Sequence, residues 1–361
     1  MADRGLTGAT IAIVGGGPAG CAAALTLRRY LPELSVTLIW EPSVRPGVGE
    51  TLSPGAGPLL DYLGVRDAFV RAGPLPAAGT SSAWGSPAVA ERSYLFSGRG
   101  TGWHLDRDAF DGWLRDRAVA AGARLVEGRA RIADGTVVLR GGAEVPAAAI
   151  VDARGRAARP EGRPGQRDDE LVATIRWFRC EPQRVAEGAL IESAPDGWWY
   201  SATLPAGRGV AMYMTDADLR RDATWDQRLA RSPATLQRLS GWTATGQSAT
   251  RAAGSQRAAT VTTAPWVAAG DAAAGFDPLS AMGIGFALRS GIEAARVAVA
   301  TAESDTRFAE TYRASVDRVY ADYRRRLRLA YAQERRWQDA VFWRRRLTPR
   351  PVSPAATGSI P

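Results

Sequence analysis

A glycine-rich turn near the start of the sequence is the first feature whose residue types and spacing could do chemistry. Gly15, Gly17 and Gly20 follow the G-x-G-x-x-G pattern. The first glycine permits a tight turn, the second lets a pyrophosphate approach the backbone, and the third lets a helix pack closely on a strand. Pro18 suits the first helical turn, where a missing N–H leaves no donor unpaired, and Ala19 belongs to the same turn. The unpaired N–H groups of this helix end would face phosphates.

A carboxylate stands where such a turn needs one. Residues 35–40 form a second β-type run, which leads directly to Glu41, about 20 residues beyond Gly20. A carboxylate in that position hydrogen-bonds the ribose of a dinucleotide. The alternative is an ordinary glycine turn, but the position of Glu41 favours a dinucleotide site.

A polar turn also links a strand to a long helix later in the chain. The strand begins at Trp266 and leads into Gly270 and Asp271. One interpretation is a plain strand–turn–helix connection. The other is that Asp271 holds the ribityl chain of a flavin while the helix N-terminus faces the pyrimidine edge, which gains negative charge on reduction. The start of this helix consists of Pro278, Gly283, Ile284 and Gly285, and a similar turn with Asp152 and Gly155 ends a strand over 145–153.

The composition excludes several mechanisms. The net charge of +9 is carried by arginine, because the sequence contains no lysine, and His104 is its one histidine. P-loop and Schiff-base chemistry need a lysine, whereas histidine-rich metal sites and most serine or cysteine triads need more histidine. We therefore expect no metal site, and we expect a bound cofactor to supply the chemistry.

The sequence predicts a cytoplasmic protein. Cys21 and Cys180 are too few for a disulfide framework, which is typical of a reducing compartment. No uninterrupted apolar run is long enough to span a bilayer, and the N-terminus leads into the first strand without a signal peptide. We expect no membrane association.

The order of elements predicts an α/β fold. It has a Rossmann-like FAD/NAD(P)-binding domain, an inserted antiparallel β-sheet domain for the substrate, and C-terminal helices. Antiparallel strands are predicted for 171–179, 188–193, 197–204 and 209–215, and helix for roughly 216–240. The predicted cofactor domain comprises 1–80, 101–170 and 256–300, the substrate domain 81–100 and 171–255, the C-terminal helices 301–347, and a disordered tail 348–361.

Taken in order along the chain, these motifs resemble the flavoproteins of the p-hydroxybenzoate hydroxylase type. The resemblance rests on the glycine fingerprint, Glu41, the turn at Asp152 and the Gly270-Asp271 motif, and it spans nearly the whole chain. It implies FAD rather than NAD. It also implies that Glu41 binds the adenosine ribose and that Asp271 lies near the ribityl group.

A second resemblance narrows the class. Residues 47–54, which include Gly49, Glu50 and Thr51, look like the flavin strap of the flavin-dependent halogenases and their relatives. Halogenases of that kind relay hypohalous acid through a catalytic lysine. This sequence has no lysine and lacks their Trp-x-Trp-x-Ile-Pro motif, so the resemblance does not extend to halogenation.

Among the halogenase-like flavoproteins, the chain is similar to those that mature cysteine tryptophylquinone in lysine and glycine oxidases. The similarity lies in its length and in the stretches 84–85, 102–107 and 198–200. It implies an FAD-dependent monooxygenase that uses O2 to hydroxylate an aromatic ring, expected to be tryptophan or indole. The electrons would come from NAD(P)H or from a separate flavin reductase, since no second glycine fingerprint occurs.

Four aromatic residues are candidates for the substrate site: Trp84, Trp198, Trp199 and Tyr200. They would grip an indole, or else they fill the core between sheet and helices. Histidine is the residue type whose ordinary pKa lies near neutrality, so His104 could orient the substrate or take a proton. The alternative is a structural histidine just before the helix that Asp106 caps. Arg107, at the start of that helix, either contacts FAD or is a surface arginine.

Three functions remain open on the sequence. The first is a monooxygenase that acts on a tryptophan in a partner protein or on an aromatic small molecule. The second is a flavoprotein that mainly binds and orders its target as a maturation partner, and the third is a plain dehydrogenase or oxidase. The arginines of 313–346 indicate a solvated helix face, with an acidic partner as the next interpretation. Nucleic acid is not expected, because no reader motif accompanies the charge.

Overall fold

The computed structural model describes residues 9–43, 46–94, 100–158, 165–182 and 188–348. The helices are α1 (Pro18–Tyr30), α2 (Gly57–Tyr62), α3 (Arg66–Arg71), α4 (Arg107–Ala120), α5 (Trp225–Leu229), α6 (Pro233–Leu239), α7 (Gly283–Ala302), α8 (Arg307–Ala332) and α9 (Val341–Leu347). The strands are β1 (Thr10–Val14), β2 (Ser35–Trp40), β3 (Glu50–Leu52), β4 (Leu75–Ala77), β5 (Gly79–Ala83), β6 (Ala90–Ser93), β7 (Gly102–Leu105), β8 (Arg124–Glu127), β9 (Ala130–Ala133), β10 (Thr136–Leu139), β11 (Glu144–Val145), β12 (Ala149–Asp152), β13 (Gln166–Arg167), β14 (Leu171–Arg179), β15 (Ala189–Ala194), β16 (Gly197–Leu204), β17 (Arg208–Asp216), β18 (Thr243–Ala252), β19 (Gln256–Arg257), β20 (Thr262–Thr263), β21 (Trp266–Ala268) and β22 (Ala274–Gly275).

A six-stranded sheet holds the glycine turn. Its strand order is β20-β21-β12-β1-β2-β8, and β1 pairs in parallel with both β2 and β12. From Ile11 to Val14 the strand β1 is apolar and buried, because helices α1, α4 and α7 share one core with the sheet. The carboxyl ends of β1, β12 and β21 therefore meet at one edge, where the turns that follow them lie together. This arrangement confirms the predicted Rossmann-like fold.

A seven-stranded sheet forms the second layer. Its order is β18-β14-β17-β16-β15-β5-β6, and its pairs are antiparallel except for β15 with β5. The four strands predicted between 171 and 215 are all present, each within one residue of the predicted bounds. The helix predicted over 216–240 is instead broken into a 3-10 turn at 219–221 and the short helices α5 and α6.

Strand β18 was not predicted. Its ten residues are mostly polar or small, and nearly all of them are exposed. Their sequence shows no alternation of apolar and polar side chains. The strand forms through backbone pairing with β14. Backbone pairing of this kind leaves no pattern in the sequence.

The C-terminal helices join the two layers. The first part of α8 packs on the core of the parallel sheet through Tyr312, Val316 and Tyr323. The end of α8 and α9 pack on the inner face of the seven-stranded sheet through Tyr331 and Trp343. The predicted tail lies, apart from Thr348, outside the described residues. Within the described ranges, no helix is both long and apolar enough to cross a membrane. The domain boundaries drawn from the sequence stay a prediction.

Candidate functional site

A cleft of about 990 Å³ lies between the parallel sheet and the inner face of the seven-stranded sheet. It starts at the glycine turn after β1 and ends at apolar side chains of β14 and β17. Most of the predicted cofactor residues line it, although they come from distant parts of the chain. These residues are Gly15, Gly17, Pro18, Ala19, Glu41, Glu50, Thr51, Arg107, Gly155, Gly270, Asp271, Pro278, Gly283 and Ile284, together with Tyr200 from the aromatic candidates.

The three fingerprint glycines occupy three different environments. Gly15 has a positive φ of 121°, and a Cβ there would lie 2.2 Å from the Ala153 carbonyl oxygen. A Cβ on Gly20 would lie 1.8 Å from the Gly15 oxygen, so this residue allows the helix to touch the turn. A Cβ on Gly17 would meet no atom within 4 Å, because that position faces the cleft. The environments agree with the three roles expected for a dinucleotide turn.

Two helices point uncapped N-termini at the cleft. The residue before α1 is Gly17 and the residue before α7 is Met282, and neither gives a side-chain hydrogen bond to its helix. Positions Gly283 and Gly285 have open space where a side chain would be, although Gly285 is not part of the cleft wall. Unpaired N–H groups and open space beside them suit an anionic pyrophosphate at one helix and an electron-rich ring edge at the other. The cleft therefore fits FAD.

The carboxylates of the site differ in accessibility. Glu41 is half exposed and lies 4.0 Å from Arg129, while Asp271 pairs with Arg156 at 3.0 Å. Both line the cleft and can accept from ligand hydroxyls. Asp152 is completely buried and does not line the cleft. Its two oxygens bind Arg154 at 2.9 and 2.8 Å, so it shapes the turn that presents Gly155.

The strap crosses the cleft along β3. Strand β3 pairs with β7, and Glu50 accepts from Arg107 at 2.7 Å. Arg107 also binds Asp111, one turn later on α4. Burial lowers the pKa of Arg107, but the two carboxylates outweigh that effect and raise it above the ordinary value. Arg107 is thus part of the cleft wall. Gly49 does not line the cleft, and a Cβ there would lie 2.3 Å from Leu204.

A hydrogen-bonded chain connects His104 to the cleft. His104 is fully buried and does not itself line the cleft. Its Nδ1 lies 2.9 Å from the Thr51 hydroxyl, and that hydroxyl lies 2.9 Å from the Tyr200 hydroxyl. Burial raises the pKa of Tyr200, so its phenol stays protonated. The chain joins β7, the strap and β16, and it can carry a proton between the cleft and a buried imidazole.

The three tryptophans predicted to bind substrate lie outside the cleft. Trp198 and Trp199 are fully buried and, as neighbours on β16, point to opposite faces of the sheet. Trp199 donates to Ser232 on the far side at 2.8 Å. Trp198 donates to Tyr331 at 3.1 Å, and Trp84 donates to the Ala330 carbonyl at 2.9 Å. Trp198 and Trp199 fill the core and the partly buried Trp84 packs against it, whereas Tyr200 reaches the cleft.

Asp277 is a cleft residue that the sequence reasoning missed. Its side chain is buried and accepts from the Leu279 N–H at 2.9 Å and from the Tyr331 hydroxyl at 2.8 Å. Burial, and then the nearby charge of Asp169, raise the pKa of Asp277 to about 6. Its position directly before Pro278 was the available signal, but a carboxylate in a turn is usually exposed. Ala173, Ile175, Met212 and Met214 form the apolar wall opposite.

The comparisons with known proteins decide the family. The model of the tryptophan halogenase family matches residues 10–85. LodB of Marinomonas mediterranea, named as an FAD-dependent oxidoreductase, is 30% identical over 356 residues, covering 92% of this chain and 95% of LodB. The chain belongs to the LodB family of FAD-dependent oxidoreductases. It is therefore an enzyme of the halogenase-like flavoprotein class.

Solved structures give the same fold. QhpG, described as a peptidyl tryptophan dihydroxylase essential for tryptophylquinone cofactor biogenesis, is 26% identical with a TM-score of 0.77, covering 94% of this chain and 78% of its own. The myxobacterial chondrochloren halogenase CndH has a TM-score of 0.83 at 21% identity, covering 95% of this chain and 86% of its own. The flavin-dependent halogenase CmlS has a TM-score of 0.81 at 24% identity, covering 96% and 68%. QhpG and CmlS are nearly equal in identity to this chain, so these structures establish the shared fold.

Proposed function

We propose that this protein is an FAD-dependent monooxygenase that hydroxylates a tryptophan ring in a partner protein during the maturation of a quinone cofactor. The observation that carries the proposal is the likeness to QhpG over 94% of the chain, at 26% identity. The cleft supports it, because a site for a dinucleotide continues into an apolar wall formed by β14 and β17. An aromatic ring fits such a wall.

The side chains of the cleft have separate roles in this proposal. Met212, Met214 and Ile175 exclude water and hold the aromatic ring. The Tyr200 hydroxyl orients the substrate, and a proton released in the cleft passes through the Thr51 hydroxyl towards Nδ1 of His104. When bound, reduced FAD supplies the activation of O2. The protein itself therefore positions the substrate, excludes water from the cleft and provides a route for one proton.

The source of electrons is part of the proposal. NAD(P)H or a separate flavin reductase supplies them, and O2 is the co-substrate. A second glycine fingerprint does not occur in the sequence, which favours transient binding of the reductant. Halogenation is disfavoured, because the sequence contains no lysine to relay an oxidised halide.

The test is incorporation of ¹⁸O₂ into a tryptophan-containing peptide. The protein is loaded with FAD, reduced by NADH with a flavin reductase, and exposed to ¹⁸O₂ with the peptide or with free tryptophan. We expect labelled oxygen in the peptide, read by mass spectrometry, and none under nitrogen. Oxygen in free tryptophan alone would show a small-molecule monooxygenase. Peptide binding without oxygen incorporation into the peptide or into tryptophan would show a maturation partner with little turnover, and either result overturns the proposal.

A further inference from the structure

Among the residues that the structure describes, one edge of the seven-stranded sheet is long and has no strand beside it. Strand β18 stands last in the sheet order and pairs with β14, and no other strand of the described residues pairs with its outer side. The register with β14 runs without a break from Ser248 to Ala252, opposite Arg176 to Val172. Most positions of β18 are exposed. The outer side of β18 therefore presents a row of backbone donors and acceptors.

Between Ser248 and Ala252 this edge lacks most of the usual protection against strand addition. The register shift in its pairing with β14 lies before Ser248, and its one charged side chain, Arg251, lies on the cleft side. Natural edge strands are blunted by lysine, proline, inward charges or short length. Over its ten residues β18 has no proline and no acidic residue, and Arg251 is its one charged residue. The opposite edge, β6, has four residues and includes Glu91 and Arg92. The two edges of the same sheet are thus built differently.

The open edge leads into the cleft. Arg251 and Ala252 at the end of β18 line the cleft, as does Ala253. Arg251 stands directly opposite Ala173 on β14, which also lines the cleft. Side chains that stand opposite each other share a face of the sheet. A residue added opposite Arg251 on a new strand would therefore point to the cleft side.

We propose that the outer edge of β18 is the docking site for an extended segment of the partner protein, which adds to the sheet as a further strand beside Ser248–Ala252. The inference rests on the proposed function, because the segment carries the tryptophan to be hydroxylated. Main-chain hydrogen bonds to β18 hold the segment, and the alternation of its side chains directs the tryptophan to the cleft. The spacing of about 4.8 Å between strands keeps a large ring within reach of the cleft mouth.

Backbone N-methylation of a peptide tests the docking mode. The probe is a capped peptide of alternating threonine and glutamine with one central tryptophan, together with two forms that are N-methylated at complementary alternate amides. In an added strand only every second N–H faces β18. We expect one methylated form to bind at least about tenfold more weakly and the other to bind nearly as the parent does. Equal binding of both forms would overturn the proposal.

Hydrogen exchange locates the bound peptide on the protein. With the holoprotein, we expect added protection of the amides of 248–252 from the parent peptide and from the methylated form that still binds. Protection confined to other segments would contradict docking on β18. This readout does not depend on turnover.

A matched pair of variants provides the control. Ser248 and Ala249 are neighbours, so one N–H faces β14 and the other faces outward. The variants are Ser248→Pro and Ala249→Pro. The outward variant, which loses the N–H that faces away from β14, should keep the melting temperature and abolish peptide binding. The inward variant, which loses the N–H that faces β14, should have a lower melting temperature. Unchanged binding in a folded outward variant refutes the proposal. If neither variant folds, the methylated peptides decide.

The outcomes separate this inference from the proposed function. Oxygen transfer to the peptide with equal binding of both methylated forms overturns the docking site and leaves the proposed function standing. Selective binding at β18 without oxygen transfer supports the docking site and counts against the proposed function. A homodimer that the outward proline variant dissociates would assign the edge to a second copy of this chain and overturn the proposal.

Discussion

At the residue scale, the Thr51 hydroxyl joins two groups that the sequence separates widely. It lies 2.9 Å from both His104 Nδ1 and the Tyr200 hydroxyl. Thr51→Val keeps the side-chain volume but removes the shared hydroxyl. We expect FAD binding to be retained and the hydroxylation rate to fall about 10- to 100-fold, because positioned proton transfer contributes about that much or more. Single-turnover rates across pH measure the effect.

Thr51→Ser is the matched control. Serine restores the hydroxyl without the methyl group, so it should recover most of the rate and the pH profile of the natural protein. A Thr51→Val protein with undiminished turnover at every pH would show that the chain of hydroxyls carries no proton.

The Asp277 carboxyl predicts a pH-dependent stability. Its pKa is raised from 3.8 to about 6 in the folded protein, because it is buried and faces Asp169. The folded state therefore holds this proton more tightly than the unfolded state, and stability falls as pH rises from about 4 to about 6. Asp277→Asn removes that loss. Between pH 4 and pH 6 we expect the free energy of unfolding of the natural protein to fall, relative to that of the variant, by on the order of 3 kcal/mol.

Chemical denaturation at several pH values measures this difference. Below pH 4 and above pH 6 the gap between the two proteins should be constant, since the carboxyl does not titrate there. A gap that does not change between pH 4 and pH 6 would contradict a raised pKa for Asp277.

At the element scale, we expect two glycines of the same turn to differ in effect: Gly17 should affect FAD binding and Gly20 the stability of the fold. A Cβ on Gly17 meets open cleft, while a Cβ on Gly20 would lie 1.8 Å from the Gly15 oxygen. Gly17→Val should leave the melting temperature of the apoprotein unchanged and weaken FAD binding by about tenfold or more, because the valine occupies the place of the pyrophosphate. Gly20→Ala should instead lower apoprotein stability by about 1–3 kcal/mol, because helix and strand are forced apart.

Calorimetry of the apoproteins and titration with FAD distinguish the two variants. The expectation fails if Gly17→Val destabilises the apoprotein as much as Gly20→Ala does. It fails equally if Gly17→Val binds FAD as the natural protein does.

Strands rich in aromatic or β-branched residues and elements that follow a glycine motif were predictable. The fingerprint and β14 to β17 lie where the sequence placed them, whereas the long helix α7 begins at Gly283, after a separate 3-10 turn at Pro278–Ser280. Strand β18 was missed because pairing with β14 leaves no trace in its exposed residues. The sequence also did not decide whether Trp198 and Trp199 bind the substrate or fill the core. Because both faces of β16 are covered, a large apolar side chain on either face is buried in the core.

At the scale of the whole molecule, the cleft extends from the turn after β1 to the start of α7. Glu41 and the N-termini of α1 and α7 all line it, and we expect the adenosine half of FAD beside Glu41 and the flavin beside α7. A ligand that spans both ends should bind far better than one that fills the flavin end alone. We expect FAD at about 100 times its dissociation constant to stabilise the apoprotein by about 2.7 kcal/mol, and FMN at the same concentration by much less.

Thermal unfolding by calorimetry with each flavin measures this difference. Equal stabilisation by FAD and FMN would mean that the adenosine end of the cleft contributes nothing to binding. Stabilisation by neither flavin would contradict the assignment of the cleft as the cofactor site.

The sequence by itself determined the cofactor class and the fold, because a dinucleotide site depends on local features: a turn that needs glycine, a helix end, and a carboxylate at a set distance along the chain. Only the tertiary structure decided which side chains share the cleft. His104, Thr51 and Tyr200 meet because β7, the strap and β16 cross at one point, and Asp277 is buried because α8 covers it. Contacts between segments that are distant in the sequence depend on tertiary packing, and the spacing of residues along the chain does not predict that packing.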